Sequence, residues 1–259
     1  VERPKALILA APGTNCEWDT QEAFKNAGSD TEILVFRNQN DKDIKYSLDR
    51  LEKGIRQAQI FAIPGGFSLG DEPDGSAKFL ANILRNQKIS RAIDYLLNEN
   101  DGLILGICNG FQALVKTGLL PYDEAVIPSD EDPTLTNNTS SRYIASFVNT
   151  HTLTNNSPWT RGLDLEKTYR IPISHGEGRF IVSEERLEEL LENDQVFSVY
   201  ESSPNGSNYN IEGILSKDGK ILGRMGHAER IDEGLFKNVY DVNRENIFEN
   251  AIEYFRKDK

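Results

Sequence analysis

The sequence predicts a three-layer α/β/α domain with a mixed, mostly parallel central sheet, and three observations carry that expectation. Short β-rich runs alternate with amphipathic segments of helical length as far as Gly118. Several of those runs are apolar throughout instead of alternating, as strands covered on both faces must be. Farther along, two β-rich runs joined by a turn suggest an antiparallel hairpin at one edge, which makes the sheet mixed.

Lys5–Ala10 (KALILA) reads as a buried strand leading into the turn Ala11-Pro12-Gly13. Thr14 and Glu17 have capping-box spacing for a helix carrying Ala23, Phe24 and Ala27 and ending at Gly28. Thr31–Phe36 is a second strand. Leu48, Leu51, Ile55 and Ala58 recur at helical spacing before a third strand, Gln59–Ile63, which stops at Pro64-Gly65-Gly66. Helical patterns over Ala77–Leu84 and Ile89–Leu97 precede a fourth, fully apolar strand, Leu103–Ile107. Residues 122–141 are rich in Pro, Asp, Asn, Thr and Ser and read as a polar loop or insertion. Short strands at Arg142–Thr150 and Thr168–Ser174, a charged helix at Glu184–Glu192 and a strand at Gln195–Glu201 follow. The hairpin is Asn210–Ser216 with Lys220–Met225, turning at Lys217-Asp218-Gly219, and a last helix covers Arg244–Phe255.

At 259 residues the chain can bury a full core, and residues 1–259 read as a single domain. A net charge of −12 argues against a dedicated nucleic-acid binder, which needs clustered Lys and Arg. No apolar run is long enough to span a bilayer and no signal-peptide pattern opens the chain, so a cytoplasmic location is expected. The first residue is Val1, which suggests a piece of a longer polypeptide or, equally, a processed terminus. Cys16 and Cys108 make no disulfide framework and read as free thiols. Asn137, Asn138, Asn155 and Asn205 begin N-x-Ser/Thr triplets and read as polar loops.

Gly106-Ile107-Cys108-Asn109-Gly110 stands where the fourth strand meets a helix, in the G-x-C-x-G form of a nucleophile elbow. Glycines let the backbone turn sharply there, the helix N-terminus favours a thiolate, and the Asn109 amide faces a developing oxyanion. The bland alternative is a buried cysteine in a packing turn. Pro64-Gly65-Gly66-Phe67-Ser68 ends the neighbouring strand, where Gly66 can bring a second amide. A phosphate cradle fits poorly, since Asp71, Glu72 and Asp74 follow and no nucleotide-binding glycine pattern is present. The base must come from His151, His175 or His227. His151 lies in a Thr-rich stretch and reads as a solvated or strand residue. His175-Gly176-Glu177 and His227-Ala228-Glu229 are both H-x-E patterns, and in an extended segment either carboxylate could orient its own imidazole. Residue chemistry leaves that tie open. No Cys/His spacing supports a metal site. Cys16, in the first turn of a helix, reads as structural or incidental, and Trp18 and Trp159 as packing residues.

Taken together these motifs resemble the class I glutamine amidotransferases, most closely the glutaminase domains of phosphoribosylformylglycinamidine synthases. The matching segments are Pro12–Glu17 (PGTNCE), Pro64–Gly75 (PGGFSLGDEPDG), Gly106–Val115 (GICNGFQALV), Ser174–Phe180 (SHGEGRF) and Gly226–Arg230 (GHAER), spread over nearly the whole chain. The resemblance implies a flavodoxin-like fold. It implies Cys108 as nucleophile, His227 as base and Glu229 as its orienter, with oxyanion amides from Gly66 and Asn109. It places glutamine against Gly65, Phe67, Ser68, Gln112, Ser174, His175, Gly176 and Glu177. Ammonia would pass to a synthetase domain or subunit of the same enzyme, where formylglycinamide ribonucleotide is activated with ATP and magnesium; no cofactor is expected in this chain. Gly70–Gly75 (GDEPDG) and the polar insertion resemble the large fused type, in which this chain is the C-terminal part. Two other readings compete: a γ-glutamyl peptidase on the same fold, and a non-catalytic interaction domain that retains an old elbow.

Overall fold

A computed structural model of the chain describes residues 1–68, 75–232 and 234–256. Residues 69–74 of the expected Pro64–Gly75 motif, including most of the GDEPDG run with Asp71, Glu72 and Asp74, lie outside the described residues.

The first half builds as the alternation requires: β1 (Lys5–Ala10), α1 (Glu17–Asn26), β2 (Asp30–Val35), α2 (Asp41–Gln57), β3 (Ile60–Ile63), α3 (Lys78–Arg85), α4 (Gln87–Asp94), β4 (Leu103–Ile107), α5 (Asn109–Thr117) and the short α6 (Leu119–Tyr122). β1, β3 and β4 are apolar because both faces are covered, with every β3 and β4 residue buried. The second half comprises β5 (Thr134–Asn137), β6 (Ile144–Thr152), β7 (Thr168–His175), β8 (Glu177–Ile181), α7 (Glu184–Glu192), β9 (Val196–Tyr200), β10 (Ile211–Leu215), β11 (Ile221–Arg224) and α8 (Ile247–Arg256). These make the expected α/β fold around one large mixed sheet, ordered β2-β1-β3-β4-β11-β10-β9-β6-β7, beside a two-stranded β5-β8 sheet.

β2, β1, β3, β4 and β11 run parallel, and β10, β9, β6 and β7 continue the sheet antiparallel. The β10–β11 hairpin therefore corrects the sequence reading: it lies inside the sheet, with β11 paired to β4, and not at an edge. A hairpin pattern reports its own pairing and carries no information about its outer neighbours. Two short strands escaped the sequence, β5 within the polar stretch and β8 just after the His175 motif.

The capping box at Thr14 and Glu17 does not form. The Thr14 hydroxyl instead accepts the Ala11 amide at 3.0 Å, tightening the turn after β1, and Cys16 takes the N-cap position of α1 without a side-chain cap. Asn40 and Ser183 do cap α2 and α7, accepting from Asp43 and Arg186. Trp159 is fully buried as expected, but Trp18 is 69% exposed, because α1 turns that face outward. Asn138 and Asn205 are buried, not loop-exposed as their triplets suggested.

Close approach between β3 and α5 fixes the edge that matters. A Cβ added at Gly110 would stand 1.9 Å from the Ile63 carbonyl oxygen, and one at Gly106 would strike Leu114 Cδ1 at 2.5 Å. Gly110→Ala must push α5 off β3. We expect it to lower stability by about 2–3 kcal/mol, measured by urea unfolding.

Candidate active site

Four chain segments end at the same edge of the sheet. β1 leads to Asn15 and Cys16, β3 to Gly65-Gly66-Phe67-Ser68, β4 to Cys108, and β11 to His227 and Glu229. Because β1, β3, β4 and β11 are parallel, their carboxyl ends converge, which is where open α/β sheets present ligand sites. The mouth is a cleft whose lining includes Cys16, Gly66, Phe67, Cys108, Gln112 and His227, faced by Tyr143 and the 174–177 segment.

Cys108 sits at the turn from β4 into α5 with φ 53° and ψ −106°, a left-handed conformation that L-residues avoid without surrounding support. Its amide donates to the Arg224 carbonyl at 2.8 Å, tying the elbow to the end of β11. The Sγ faces the Ser174 carbonyl at 3.7 Å, and Cys108 and the imidazole of His227 line the same cleft. Gly65 allows this arrangement. A Cβ there would stand 2.8 Å from His227 Cε1 and 3.3 Å from both Cys108 Cβ and Cys16 Sγ.

The two H-x-E patterns separate in space. His227 Nδ1 lies 2.7 Å from Glu229 Oε1, so the ring nitrogen can donate to the carboxylate. They meet across a 3₁₀ turn (Ala228–Arg230), not along the extended segment the spacing suggested. His175 Nδ1 instead meets Asn138 Oδ1 at 3.1 Å, and Glu177 Oε2 accepts the Ser76 amide at 2.8 Å. Asn138, read from sequence as a loop residue, also donates to the His175 carbonyl at 2.9 Å and so holds that backbone. Only its N-x-Ser context drew notice in the sequence, and that pointed to the surface.

The two imidazoles are tuned oppositely. Burial works against charge on His227, but the Glu229 carboxylate and the neighbouring thiols of Cys108 and Cys16 hold its pKa well above the ordinary histidine value. Burial, reinforced by the charge of His227, lowers His175 to about 4, so it is neutral at neutral pH. Cys16 lies 3.9 Å from His227 Nδ1, and burial pushes its thiol pKa up despite that contact.

A polar chain braces the floor. The Ser68 hydroxyl donates to Asn109 Oδ1 at 2.6 Å, Asn109 Nδ2 donates to Gln112 Oε1 at 3.0 Å, and Gln112 Nε2 donates to the Glu177 carbonyl. Gly66, at φ 143°, bridges to Thr14, where an added Cβ would lie 2.8 Å from backbone atoms of residues 13–15. On the rim, Tyr143 Oη and Ser174 Oγ are 2.6 Å apart, and the Tyr143 ring stands 6.2 Å from that of Phe67. Tyr143 was not anticipated. Every expected site residue except Gly65, Ser68, Asn109 and Glu229 lines the cleft itself, and those four pack directly behind it.

Beneath the site Arg224 is fully buried, donating from Nε and Nη2 to both oxygens of Glu212 at 3.0 Å and from Nη1 to Glu245. Glu212 Oε1 also accepts the Gly226 amide at 2.7 Å, which anchors the chain one residue before His227.

Comparison with known proteins places this geometry. Residues 3–255 match the family model for the CobB/CobQ-like glutamine amidotransferase domain. The chain is 36% identical to the phosphoribosylformylglycinamidine synthase subunit PurQ of Methanococcus maripaludis, covering 98% of this chain and 99% of that one. It is 37% identical to the subunit of the same name from Dehalococcoides mccartyi, covering 90% and 88%. A solved structure of PurLQS from Thermotoga maritima superposes with a TM-score of 0.72 at 27% identity, covering 98% of this chain and 99% of that one. The glutaminase domain of Trypanosoma brucei CTPS superposes at a TM-score of 0.53 and 11% identity over 96% and 91%, a likeness of fold alone.

Two outcomes follow from the geometry. Gly65→Ala should slow alkylation of Cys108 by iodoacetamide about tenfold by displacing the imidazole, with unchanged circular dichroism. The raised pKa of His227 stabilises the fold fully below about pH 6.5, the unfolded value, and that contribution is lost as pH rises through the folded value. Glu229→Gln removes a cause of the shift, so its urea-measured destabilisation should be larger near about pH 6 than near about pH 9.

Proposed function

The chain belongs to the CobB/CobQ-like glutamine amidotransferase family, and on that premise we propose that it is the glutaminase component of phosphoribosylformylglycinamidine synthase in purine biosynthesis. It hydrolyses glutamine to glutamate and ammonia, and the ammonia serves the synthetase that forms formylglycinamidine ribonucleotide. The observation that carries the site assignment is the His227–Glu229 contact of 2.7 Å in the same cleft as Cys108 at the elbow.

In this reading Cys108 is the nucleophile, His227 the acid–base group and Glu229 its orienter. The thiolate attacks the side-chain carboxamide carbon of glutamine, forming a C–S bond and a tetrahedral oxyanion that the amides of Gly66 and Asn109 receive. Protonated His227 gives its Nε2 proton to the leaving nitrogen, the C–N bond breaks, and ammonia departs from a γ-glutamyl thioester. Neutral His227 then takes a proton from water, whose oxygen attacks the thioester carbon. The C–S bond breaks, returning Cys108 and releasing glutamate. Glu229 keeps Nδ1 protonated so that Nε2 faces the reacting atoms.

Phe67, Gln112, Ser174, His175, Gly176 and Glu177 form the glutamine-binding wall in this reading, with Gly65 and Ser68 supporting it from behind. The Glu177 carboxylate suits the substrate ammonium group, and His175, neutral and held by Asn138, adds no competing charge there. The partner is a synthetase domain or subunit, with ATP and magnesium used on its side, and the setting is the cytoplasm; no described helix is long and apolar enough to cross a membrane. The finer proposal, one domain at the C-terminal end of a large fused synthase, rests on the GDEPDG run and the polar stretch, since the matched relatives are named as subunits.

Cys108→Ala in the assembled synthase should abolish product formation from glutamine while leaving product formation from added ammonia within about twofold of wild type. Continued use of glutamine by that variant would remove Cys108 from the mechanism.

A further inference from the structure

Cys16 is a buried thiol that the hydrolytic cycle does not use, and it stands beside the one ring nitrogen on which the triad depends. Its Sγ is 3.9 Å from His227 Nδ1, which is 2.7 Å from Glu229 Oε1. The three donor atoms lie within 4.8 Å of one another, and all three residues are buried. Glu229 Oε2 is also buried and has no hydrogen-bond partner, so half of this carboxylate is uncommitted. Cys16 and His227 both line the cleft, which gives a path inward.

We propose that Cys16, His227 Nδ1 and Glu229 form a site for one thiophilic divalent cation of the zinc class, and that filling it switches the triad off. Thiolate, imidazole and carboxylate are the donor set such a cation selects. Tetrahedral zinc, bonded at about 2.3 Å to sulfur and about 2.0–2.2 Å to nitrogen and oxygen, holds neighbouring donors about 3.4–3.6 Å apart. The separations here, 2.7 and 3.9 Å, bracket that spacing. The third pair, Cys16 sulfur and a Glu229 oxygen, lies within 4.8 Å, so side-chain shifts of up to about 1 Å would close the site. Asn15 Oδ1, which accepts from Cys16 Sγ at 3.0 Å, can serve as a fourth donor, or water can.

Charge favours the loaded state. A thiolate and a carboxylate cancel a divalent cation, so the filled site is neutral in surroundings that penalise net charge. Arg230 lines the same cleft but is paired with Asp19 at 3.1 Å. Binding is a proton exchange with no redox step. The cation displaces one proton from the Cys16 thiol and the Nδ1 proton of doubly protonated His227, leaving a neutral imidazole with its proton on Nε2, and the Glu229 carboxylate joins already ionised. The switching follows from the shared nitrogen. Hydrolysis needs Nδ1–H donated to Glu229, whereas the cation needs the Nδ1 lone pair, so one state excludes the other. A metallated imidazole, carrying the cation's charge, is also a poorer proton acceptor for Cys108.

The occupation test does not depend on the assigned activity. Cobalt(II), titrated into the metal-free chain, should give a thiolate-to-cobalt charge-transfer band that zinc bleaches. The band should survive in Cys108→Ala and disappear in Cys16→Ala, with Cys16→Ser as the second variant should the alanine fail to fold. In parallel, zinc should inhibit the wild-type glutaminase reversibly by chelator, and the zinc concentration for half inhibition should rise about tenfold or more in Cys16→Ala. Absence of the band in wild type overturns the site. So does a band that disappears in Cys108→Ala and persists in Cys16→Ala, which would put the cation on the nucleophile. A retained band with undiminished hydrolysis at saturating zinc overturns the switch; loss of glutamine use in Cys108→Ala is read separately and bears only on the function.

Discussion

The structure depends on how closely three backbones can approach at the carboxyl ends of β3, β4 and β11. Gly65 is the spacer among them: the space a methyl group would need is already filled by the His227 ring, the Cys108 side chain and the Cys16 sulfur. Gly110 has the same task one layer down, where α5 begins against the carbonyl of Ile63. Only with both positions bare can a cysteine be held at φ 53° within reach of an imidazole from a strand more than a hundred residues later. The parallel register of β4 with β11 then sets the height of the two groups, because the Cys108 amide rests on the Arg224 carbonyl.

Electrostatics divides labour between two histidines that look alike in sequence. His227 meets a carboxylate and keeps a strong affinity for its proton, whereas His175 meets an amide oxygen and is neutral. The difference lies in the backbone between histidine and acid. A 3₁₀ turn folds Glu229 back onto the ring, and the passage from β7 into β8 carries Glu177 away to the amide of Ser76. Glycine at 178 packs under the His175 ring, where an added Cβ would lie 2.4 Å from Nδ1, and so fixes the second imidazole in its place.

Much of the fold was legible because its first half is built from local signals: continuous apolar runs, glycine stops and helical periodicity. The β4 strand and α7 fall on their expected bounds. The elbow and the Pro64-Gly65-Gly66 turn were legible for the same reason, since each is a short segment whose glycines mark a sharp bend. What stayed hidden was tertiary. No pattern could tell that the β10–β11 hairpin enters the middle of the sheet, because its outer partners are chosen by segments far away. Spacing could not separate two H-x-E pairs whose backbones bend differently. Cys16 and His227 meet at 3.9 Å across 211 residues, a contact invisible to any local reading. Asn138 misled in the other direction, because a sequon is a surface signal and this one is buried against His175.

The Glu212–Arg224–Glu245 cluster has a consequence for how this chain can change over time. All three groups are shut away from water, so replacing Arg224 alone strands two carboxylates in the interior, a loss of about 3–5 kcal/mol, and replacing either glutamate alone leaves guanidinium N–H groups without their acceptor. Exchange of all three together for apolar side chains carries no such loss, except that the Gly226 amide needs another acceptor. Lineages should therefore cross between the charged and apolar versions in concerted jumps and not by single drift. A chimera grafting this hairpin into a relative must bring the loop before α8 along with it.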